Sequence, residues 1–280
     1  MAGTFGRSIE LLKDTWHVLM MDKELLLFPV LSGIAILAIL FTFIFPVIFL
    51  GFLGGTGGAG PLVLFLLIFL FYFISYAVAI FFNTGLIACA AIRFSGGDPT
   101  VKDGLSAAVK HLDKILVWAL IAATVGLILS MLSRKSGIIG KIVISLVGMV
   151  WSLVTFLVIP VMIFEDRGVI DAIQESGSLL KKTWGENIIG TISLGIIFIP
   201  AIVLLFLMMI AIFSGNMAFV IVLLALTILC FALCGIFHAT LQGIFIAALY
   251  QYARTGQTPG QFDGDIIRGA FQERLTGGNI

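Results

Sequence analysis

Six long runs of apolar residues, each free of Asp, Glu, Lys and Arg, constrain the fold of this chain more than any other feature. They cover residues 25–53, 62–92, 115–132, 142–164, 188–213 and 218–250. A helix needs about 20 consecutive apolar residues to cross the hydrocarbon core of a bilayer, and all six runs approach or exceed that length. We therefore expect a single all-α, polytopic membrane domain with six transmembrane helices.

The composition excludes an ordinary soluble domain. Apolar residues make up 60% of the 280 residues and charged residues only 11%, whereas roughly a quarter of the residues in a soluble domain are charged. The formal net charge of +1 provides no bulk attraction to nucleic acid. The first apolar run is much longer than the apolar core of a secretory signal, so we expect it to be retained as a helix.

Charged residues are distributed unequally between the two sides of the predicted bundle. One side carries 13 of the 16 Lys and Arg residues and all 15 Asp and Glu residues. The other side carries Arg134, Lys135 and Lys141. Because cytoplasmic loops hold the excess of Lys and Arg, we expect a multi-pass protein of the plasma membrane with both termini in the cytoplasm.

Amphipathic segments separate the apolar runs on the side predicted to be cytoplasmic. Residues 4–20 place apolar side chains and Trp16 on one helical face, which is typical of a helix that lies in the membrane interface. We expect three further interfacial helices, at residues 101–114, 169–184 and 265–275. Thr100 and Asp103 have the spacing of a capping box, which predicts the start of the first of these three.

Part of the N-terminal helix occurs a second time in the chain. Residues 11–16 (LLKDTW) resemble residues 179–184 (LLKKTW), and residues 85–94 show weaker similarity to residues 243–252. These matches predict a threefold internal repeat in which each unit is a surface helix followed by a hairpin of two spans. Parallel repeats are one origin of transport folds, but stacking of simple hairpins produces the same pattern.

Polar side chains in the second and sixth apolar runs are the candidates for a functional site. The set is Asn83, Thr84, His238 and Gln242. Polar residues at membrane depth usually face the interior of a bundle, so these four could line a polar conduit. The alternative is that they make ordinary hydrogen bonds between packed helices. Proton transport through buried carboxylates is disfavoured, because none of the six runs contains Asp or Glu.

Small residues recur at every fourth position along the sixth run. They are Gly235, Ala239, Gly243 and Ala247. A surface of this kind lets another helix approach closely, so we expect it to be a site of helix packing. Exposed small-residue or aromatic faces would also allow copies of the chain to associate, and we expect a homo-oligomer.

Patterns that could bind a metal or a phosphate have simpler interpretations. Cys230, Cys234 and His238 share one face of a helix, but residues eight apart are separated by roughly 12 Å and cannot bind one zinc ion. Residues 55–60 match GxGxxG but follow a predicted membrane helix rather than a strand. We expect no metal, no cofactor and no enzymatic activity.

Four acidic residues around the third predicted surface segment form a second candidate cation site. They are Glu165, Asp166, Asp171 and Glu175. Acidic residues are also favoured at the start of a helix, where they interact with its dipole. We therefore interpret them as a solvated helix face.

Short motifs spread along nearly the whole chain resemble those of a known family. They are Arg7-Ser8, Trp16 with residues 22–29 (DKELLLFP), Pro160 with residues 164–166 (FED), residues 182–186 (KTWGE), and Tyr250, Tyr252, Ala253 and Gly256. On these motifs the chain resembles an uncharacterised archaeal and bacterial family of six-span membrane proteins, catalogued as a domain of unknown function. It is more loosely similar to the membrane domain of some bacterial glycerophosphodiester phosphodiesterases, which lacks the catalytic residues. Both resemblances imply fold and location, and neither assigns site residues.

Two functions fit these observations. The first is a non-catalytic, channel- or transporter-like bundle that forms or supports a permeation path for a small ion or solute. The second is a scaffold or accessory subunit that interacts with membrane lipids through its surface helices. The polar residues of the second and sixth runs distinguish the two. If they face one water-filled cavity they favour the first function, and if they face only packed helices they favour the second.

Overall fold

The computed structural model describes residues 4–52, 61–182, 194–213 and 216–262. Within these residues the chain is helical and contains no strand, which confirms the predicted all-α class. The helices are α1 (Thr4–Met21), α2 (Leu27–Phe52), α3 (Pro61–Phe94), α4 (Val101–Lys110), α5 (Leu112–Lys135), α6 (Ile138–Val154), α7 (Val158–Phe164), α8 (Val169–Lys182), α9 (Ile199–Ile212) and α10 (Met217–Thr255). Short 3-10 turns, Lys23–Leu26 and Ile196–Phe198, precede α2 and α9.

Five helical segments in the described ranges are long and apolar enough to cross a membrane. They are Lys23–Phe45, Phe65–Phe94, Leu112–Lys135, Ile138–Phe164 and Met217–Thr255. The predicted span at 188–213 is described only from residue 194, and its helix there, α9, is shorter than a full span. Six spans and a threefold repeat therefore stay predictions.

Several predicted features fall outside the described residues. They are the surface helix at 265–275, the GxGxxG segment at 55–60 and the last two residues of the surface helix at 169–184. α1 and α8 occupy the first and third of the segments that the sequence predicts as amphipathic surface helices between the spans.

α5 provides a scale for depth within the bundle. Lys114 and Arg134 lie near its two ends, and the roughly 20 residues between them rise about 30 Å. That distance matches the hydrocarbon thickness of a typical bilayer. We call the end of the bundle at Lys114 the charged end, because Arg93 and Arg254 also lie where α3 and α10 finish.

The buried core is concentrated towards the charged end. Leu25, Leu86, Ile115, Val158 and Ile244 come from five different elements, and each is at most 1% exposed. Farther from this end the helices present large apolar side chains outward, such as Phe41, which is 71% exposed. Lipid tails are as apolar as leucine, so this half of the bundle is suited to contact lipid rather than water.

α3 is the central helix of the bundle. It packs against α2, α4, α5, α7 and α10. Two glycines permit its close approach to α4. A Cβ atom at Gly85 would lie 2.6 Å from the ring of Phe28 and 3.1 Å from the carbonyl oxygen of Gly104, and a Cβ atom at Gly104 would lie 2.7 Å from the carbonyl oxygen of Gly85. Larger residues at either glycine would force the two helices apart.

The predicted capping box at the start of α4 is confirmed. The Asp103 N–H donates to Thr100 Oγ1 at 3.3 Å, and the Thr100 N–H donates to Asp103 Oδ2 at 3.0 Å. These bonds satisfy two backbone groups that a helix start otherwise leaves unpaired. Hydrogen bonds from Thr100 also hold the pKa of Asp103 below its usual value.

The fourth apolar run forms two helices, α6 and α7, with a break between Val154 and Val158. Ser176 of α8 is fully buried beside this break. Its hydroxyl donates to the Val154 carbonyl at 2.6 Å and accepts from the Leu157 N–H at 3.0 Å. A break in a membrane helix is tolerated only where its free backbone groups find partners, and Ser176 provides two of them.

Candidate binding cavity between α2, α3 and α10

A cavity of about 550 Å³ opens between α2, α3 and α10, in the half of the bundle nearer the charged end. Its volume falls within the range of small-molecule sites, roughly 300–1,000 Å³. Phe28, Ile80 and Leu86 contribute apolar surface, and Ser32, Asn83 and Gln242 contribute polar groups. The mixture of an apolar wall with a few polar groups is typical of sites that bind and orient a ligand.

Two of the four polar residues singled out in the sequence meet at this cavity. Asn83 comes from α3 and Gln242 from α10. Within the described part of the chain, neither side-chain amide has a hydrogen-bond partner. Each amide offers N–H donors and a carbonyl acceptor that are costly to leave unpaired away from water. The cavity therefore presents free hydrogen-bonding groups to water or to a bound molecule.

The other two polar residues lie elsewhere. Thr84 is fully buried, and its hydroxyl has no hydrogen-bond partner among the described residues. His238 packs its ring on Phe198, with 5.3 Å between the ring centroids, beside the turn that precedes α9. The predicted polar set thus divides into one pair that shares a cavity and two residues that do not line it.

The small residues of α10 also have unequal surroundings. A Cβ atom at Gly243 would lie 2.8 Å from Leu86 Cγ of α3, and Ala247 is 2% exposed. By contrast, a Cβ atom at Gly235 would meet nothing within 4 Å in the described part of the chain, and Ala239 lines the cavity. The half of this surface nearer the charged end is a packing surface, and the other half borders open space.

A second cavity of about 540 Å³ continues from the first between α2 and α10. Pro29, Ser32 and Ala239 line both cavities, so the two are contiguous. The second cavity reaches Leu37 on α2 and Ala232 on α10. Leu37 lies about 12 Å farther from the charged end than Pro29, and Ala232 lies about 10 Å farther than Ala239. We call the two cavities together the α2–α10 groove.

Ion pairs join the helix ends beneath the groove. Arg93, near the end of α3, donates to both carboxylate oxygens of Asp22, which follows α1. It also pairs with Asp98 at 2.5 Å. The Asp22–Arg93 pair is not predictable from the sequence, because the two partners are 71 positions apart.

Glu165 and Glu175, two of the acidic residues around the start of α8, are paired with basic side chains. Glu165 accepts from Arg254 Nε at 2.8 Å and from Arg167 Nε at 2.8 Å. Glu175 pairs with the same two arginines, at 3.2 Å to Arg254 and 3.3 Å to Arg167. Among the described residues, no group of three or more His, Cys, Asp or Glu side chains is arranged to hold a metal ion. This cluster therefore links the α7–α8 turn to the end of α10.

Long apolar helices that converge on a charged end, with their lipid-facing surfaces exposed, define a polytopic helical membrane protein. The chain belongs to DUF6159, a family of unknown function, whose sequence model matches residues 62–260. No curated protein matches the chain. The family match agrees with the predicted membership of an uncharacterised family, whereas the prokaryotic source and the similarity to a phosphodiesterase-linked domain stay predictions. The matched region includes Asn83 and Gln242 but begins after α2.

Proposed function

We propose that this membrane protein forms or supports a permeation path for a small, uncharged solute, and that the cavity lined by Asn83 and Gln242 is the polar section of that path. One observation supports the proposal above all others, namely that two unpaired side-chain amides from different helices face one cavity. Polar groups at membrane depth are expensive unless water or a polar partner satisfies them. A hydrated solute could replace that water as it enters.

The chemistry of the cavity favours a neutral solute over an ion. None of the described residues that line it is Asp, Glu, Lys or Arg. An ion moved into such a site loses its hydration without gaining an opposite charge, which is costly. Amide and hydroxyl groups can replace the hydrogen bonds of a neutral solute and are not activated for chemistry, so we propose binding and passage without catalysis.

A second function, interaction with membrane lipids as a scaffold, is favoured by α1. Trp16 packs against Phe237 of α10 with 5.5 Å between ring centroids, yet it remains 41% exposed. An indole half packed against protein and half outward is suited to the headgroup region of a bilayer.

We further propose that both termini lie in the cytoplasm at the plasma membrane, and that exposed apolar helix faces associate in a homo-oligomer.

Permeation by purified protein in liposomes tests the first function. Stopped-flow light scattering would measure the entry of water, urea and glycerol with and without protein. We expect protein-dependent entry of at least one solute, and we expect Asn83→Leu and Gln242→Leu to reduce it towards the lipid background. His238→Phe is the matched control, because it keeps the ring contact with Phe198 and lies away from the cavity.

Two results would contradict the proposal. One is the absence of protein-dependent entry for every solute in the panel, which would leave the scaffold function. The other is an equal loss of entry in His238→Phe, because that residue does not belong to the cavity.

A further inference from the structure

We infer that the α2–α10 groove binds a neutral amphiphile, a molecule with a hydroxyl-bearing headgroup and an alkyl chain. This inference goes beyond the proposed function and does not depend on it, because it concerns a membrane amphiphile in the same cavity rather than a permeating solute. An acylglycerol or an alkyl glycoside has the required chemistry.

The groove is polar at one end and apolar at the other. Ser32, Asn83 and Gln242 lie at the polar end, where both amides lack partners within the described chain. Beyond the shared residues the lining changes to aliphatic and small side chains, including Leu37 and Ala232. A hydroxyl-bearing headgroup could donate to and accept from the amides, while the apolar end would cover the alkyl chain.

The polar end of the groove lies nearer the charged end than the apolar end does. Tyr76 of α3 is opposite Gly126 of α5, since a Cβ atom at Gly126 would lie 3.5 Å from the Tyr76 hydroxyl. Gly126 lies about 18 Å along α5 from Lys114, near the middle of the bilayer. Asn83 is about two helical turns nearer the charged end than Tyr76. A ligand in the groove would therefore point its head towards the charged end and its chain away from that end.

Small side chains keep the apolar end of the groove open. Among the residues that the structure describes, a Cβ atom at Gly235 would meet nothing within 4 Å, and Ala239 lines both cavities. Helices α2 and α10 therefore leave space beside these positions. An alkyl chain would fill this space without displacing a packed side chain.

The charges around the groove argue against an anionic headgroup. No cationic residue is among the described residues that line either cavity. The arginines nearest in sequence on α3 and α10 are engaged, since Arg93 pairs with Asp22 and Asp98, and Arg254 pairs with Glu165 and Glu175. A phosphate in the groove would find no free counter-charge there, and burying it unpaired would be costly. The groove therefore favours a neutral headgroup over a phospholipid.

Photolabelling of the full-length protein tests this inference. The probe is a monoacylglycerol with a diazirine in its acyl chain, added to protein in lipid nanodiscs and mapped by mass spectrometry of peptides. We expect labelling on α2 and α10 between Pro29 and Leu37 and between Ala232 and Gln242. Unlabelled monoacylglycerol should compete, and a lysophosphatidate of the same chain length should compete much less.

Single substitutions test the polar end and the apolar end of the groove independently. Gln242→Leu should weaken competition by about fivefold, as expected for one lost hydrogen bond. Gly235→Leu should block labelling near Ala232 because it fills the apolar end, and the open space there allows the protein to fold. His238→Phe should label like the wild type, since it lies outside the groove.

The outcomes distinguish this inference from the proposed permeation. Equal competition by lysophosphatidate, or labelling spread evenly over the exposed apolar half of the bundle, would mean annular lipid only and would overturn the inference. Solute entry without labelling of the groove would also overturn it while leaving permeation intact. Labelling of the groove without solute entry would support the inference and contradict permeation.

Discussion

At the scale of single residues, Gly235 and Gly243 show how similar positions acquire different roles. They share one face of α10 and are about two turns apart. A Cβ atom at Gly243 would crowd the Leu86 side chain of α3, whereas one at Gly235 would meet no atom of the described residues within 4 Å. The sequence predicts the small-residue surface, but which glycine packs depends on where α3 crosses α10.

Replacing each glycine by alanine tests this difference. Gly243→Ala should destabilise the protein by about 1–3 kcal/mol, because an added methyl group overpacks the contact with Leu86. Gly235→Ala should be neutral or stabilising by up to about 1 kcal/mol, because alanine is the better helix former. Thermal unfolding in detergent measures both changes. Equal destabilisation by the two variants would contradict the assigned surroundings.

Asp166 gives a prediction for the dependence of stability on pH. Its carboxylate accepts from Lys114 Nζ at 2.5 Å, and this bond lowers the pKa of Asp166 from its ordinary 3.8. A carboxyl group with a lowered folded-state pKa stabilises the fold above its unfolded pKa, and it loses that contribution as the pH falls through the folded-state pKa. Lys114→Met should therefore lower stability at neutral pH but make little difference in acid below the folded-state pKa.

Unfolding midpoints of wild type and Lys114→Met, measured from about pH 7 to about pH 2, would check this prediction. Lys135→Met, at the opposite end of α5, is the control and should not change the acid dependence. A difference between wild type and Lys114→Met that persists at the acid end would show that Lys114 stabilises the fold by some other means.

At the scale of secondary structure, local signals predict helices better than they predict breaks. The α4 capping box was predictable because Thr100 and Asp103 are three residues apart and bond to each other. The break between α6 and α7 has only one local signal, Pro160, which lacks an N–H and whose ring crowds the carbonyl of Phe156, and this signal does not show which group satisfies the break. Its stabilising partner, Ser176, lies on another helix and is 22 positions from Val154. Such a bond becomes visible only when the helices are packed.

Ser176→Ala tests the role of this serine. The substitution leaves a buried carbonyl and a buried N–H without their partner, so it should destabilise the protein by about 1–3 kcal/mol. Ser178→Ala on the same helix is the matched control, because Ser178 is exposed. Thermal unfolding in detergent would measure both variants. If Ser176→Ala behaved like Ser178→Ala, water or another group would have to satisfy the break.

At the scale of the whole molecule, the sequence predicts the membrane class and part of the candidate site. Asn83 and Gln242 were identifiable because they are polar residues within apolar runs. That they share a cavity while His238 packs on Phe198 depends on the rotation of α10 against α3, which the sequence alone does not determine. The ion pairs at the charged end likewise join residues far apart in the chain, such as Glu165 and Arg254.

Asn83 and Gln242 face one accessible polar cavity inside a membrane bundle, and single-cysteine labelling tests this arrangement most directly. Cys89, Cys230 and Cys234 are first replaced by alanine. A single cysteine is then placed at Asn83, Gln242, Thr84 or Thr240, and each variant reacts with a small neutral methanethiosulfonate in liposomes.

We predict rapid labelling at Asn83 and Gln242, because both line the cavity. Labelling should be slow at Thr84 and Thr240, because both are fully buried. If cysteines at Asn83 and Gln242 react no faster than those at Thr84 and Thr240, the cavity is not accessible and the account is contradicted.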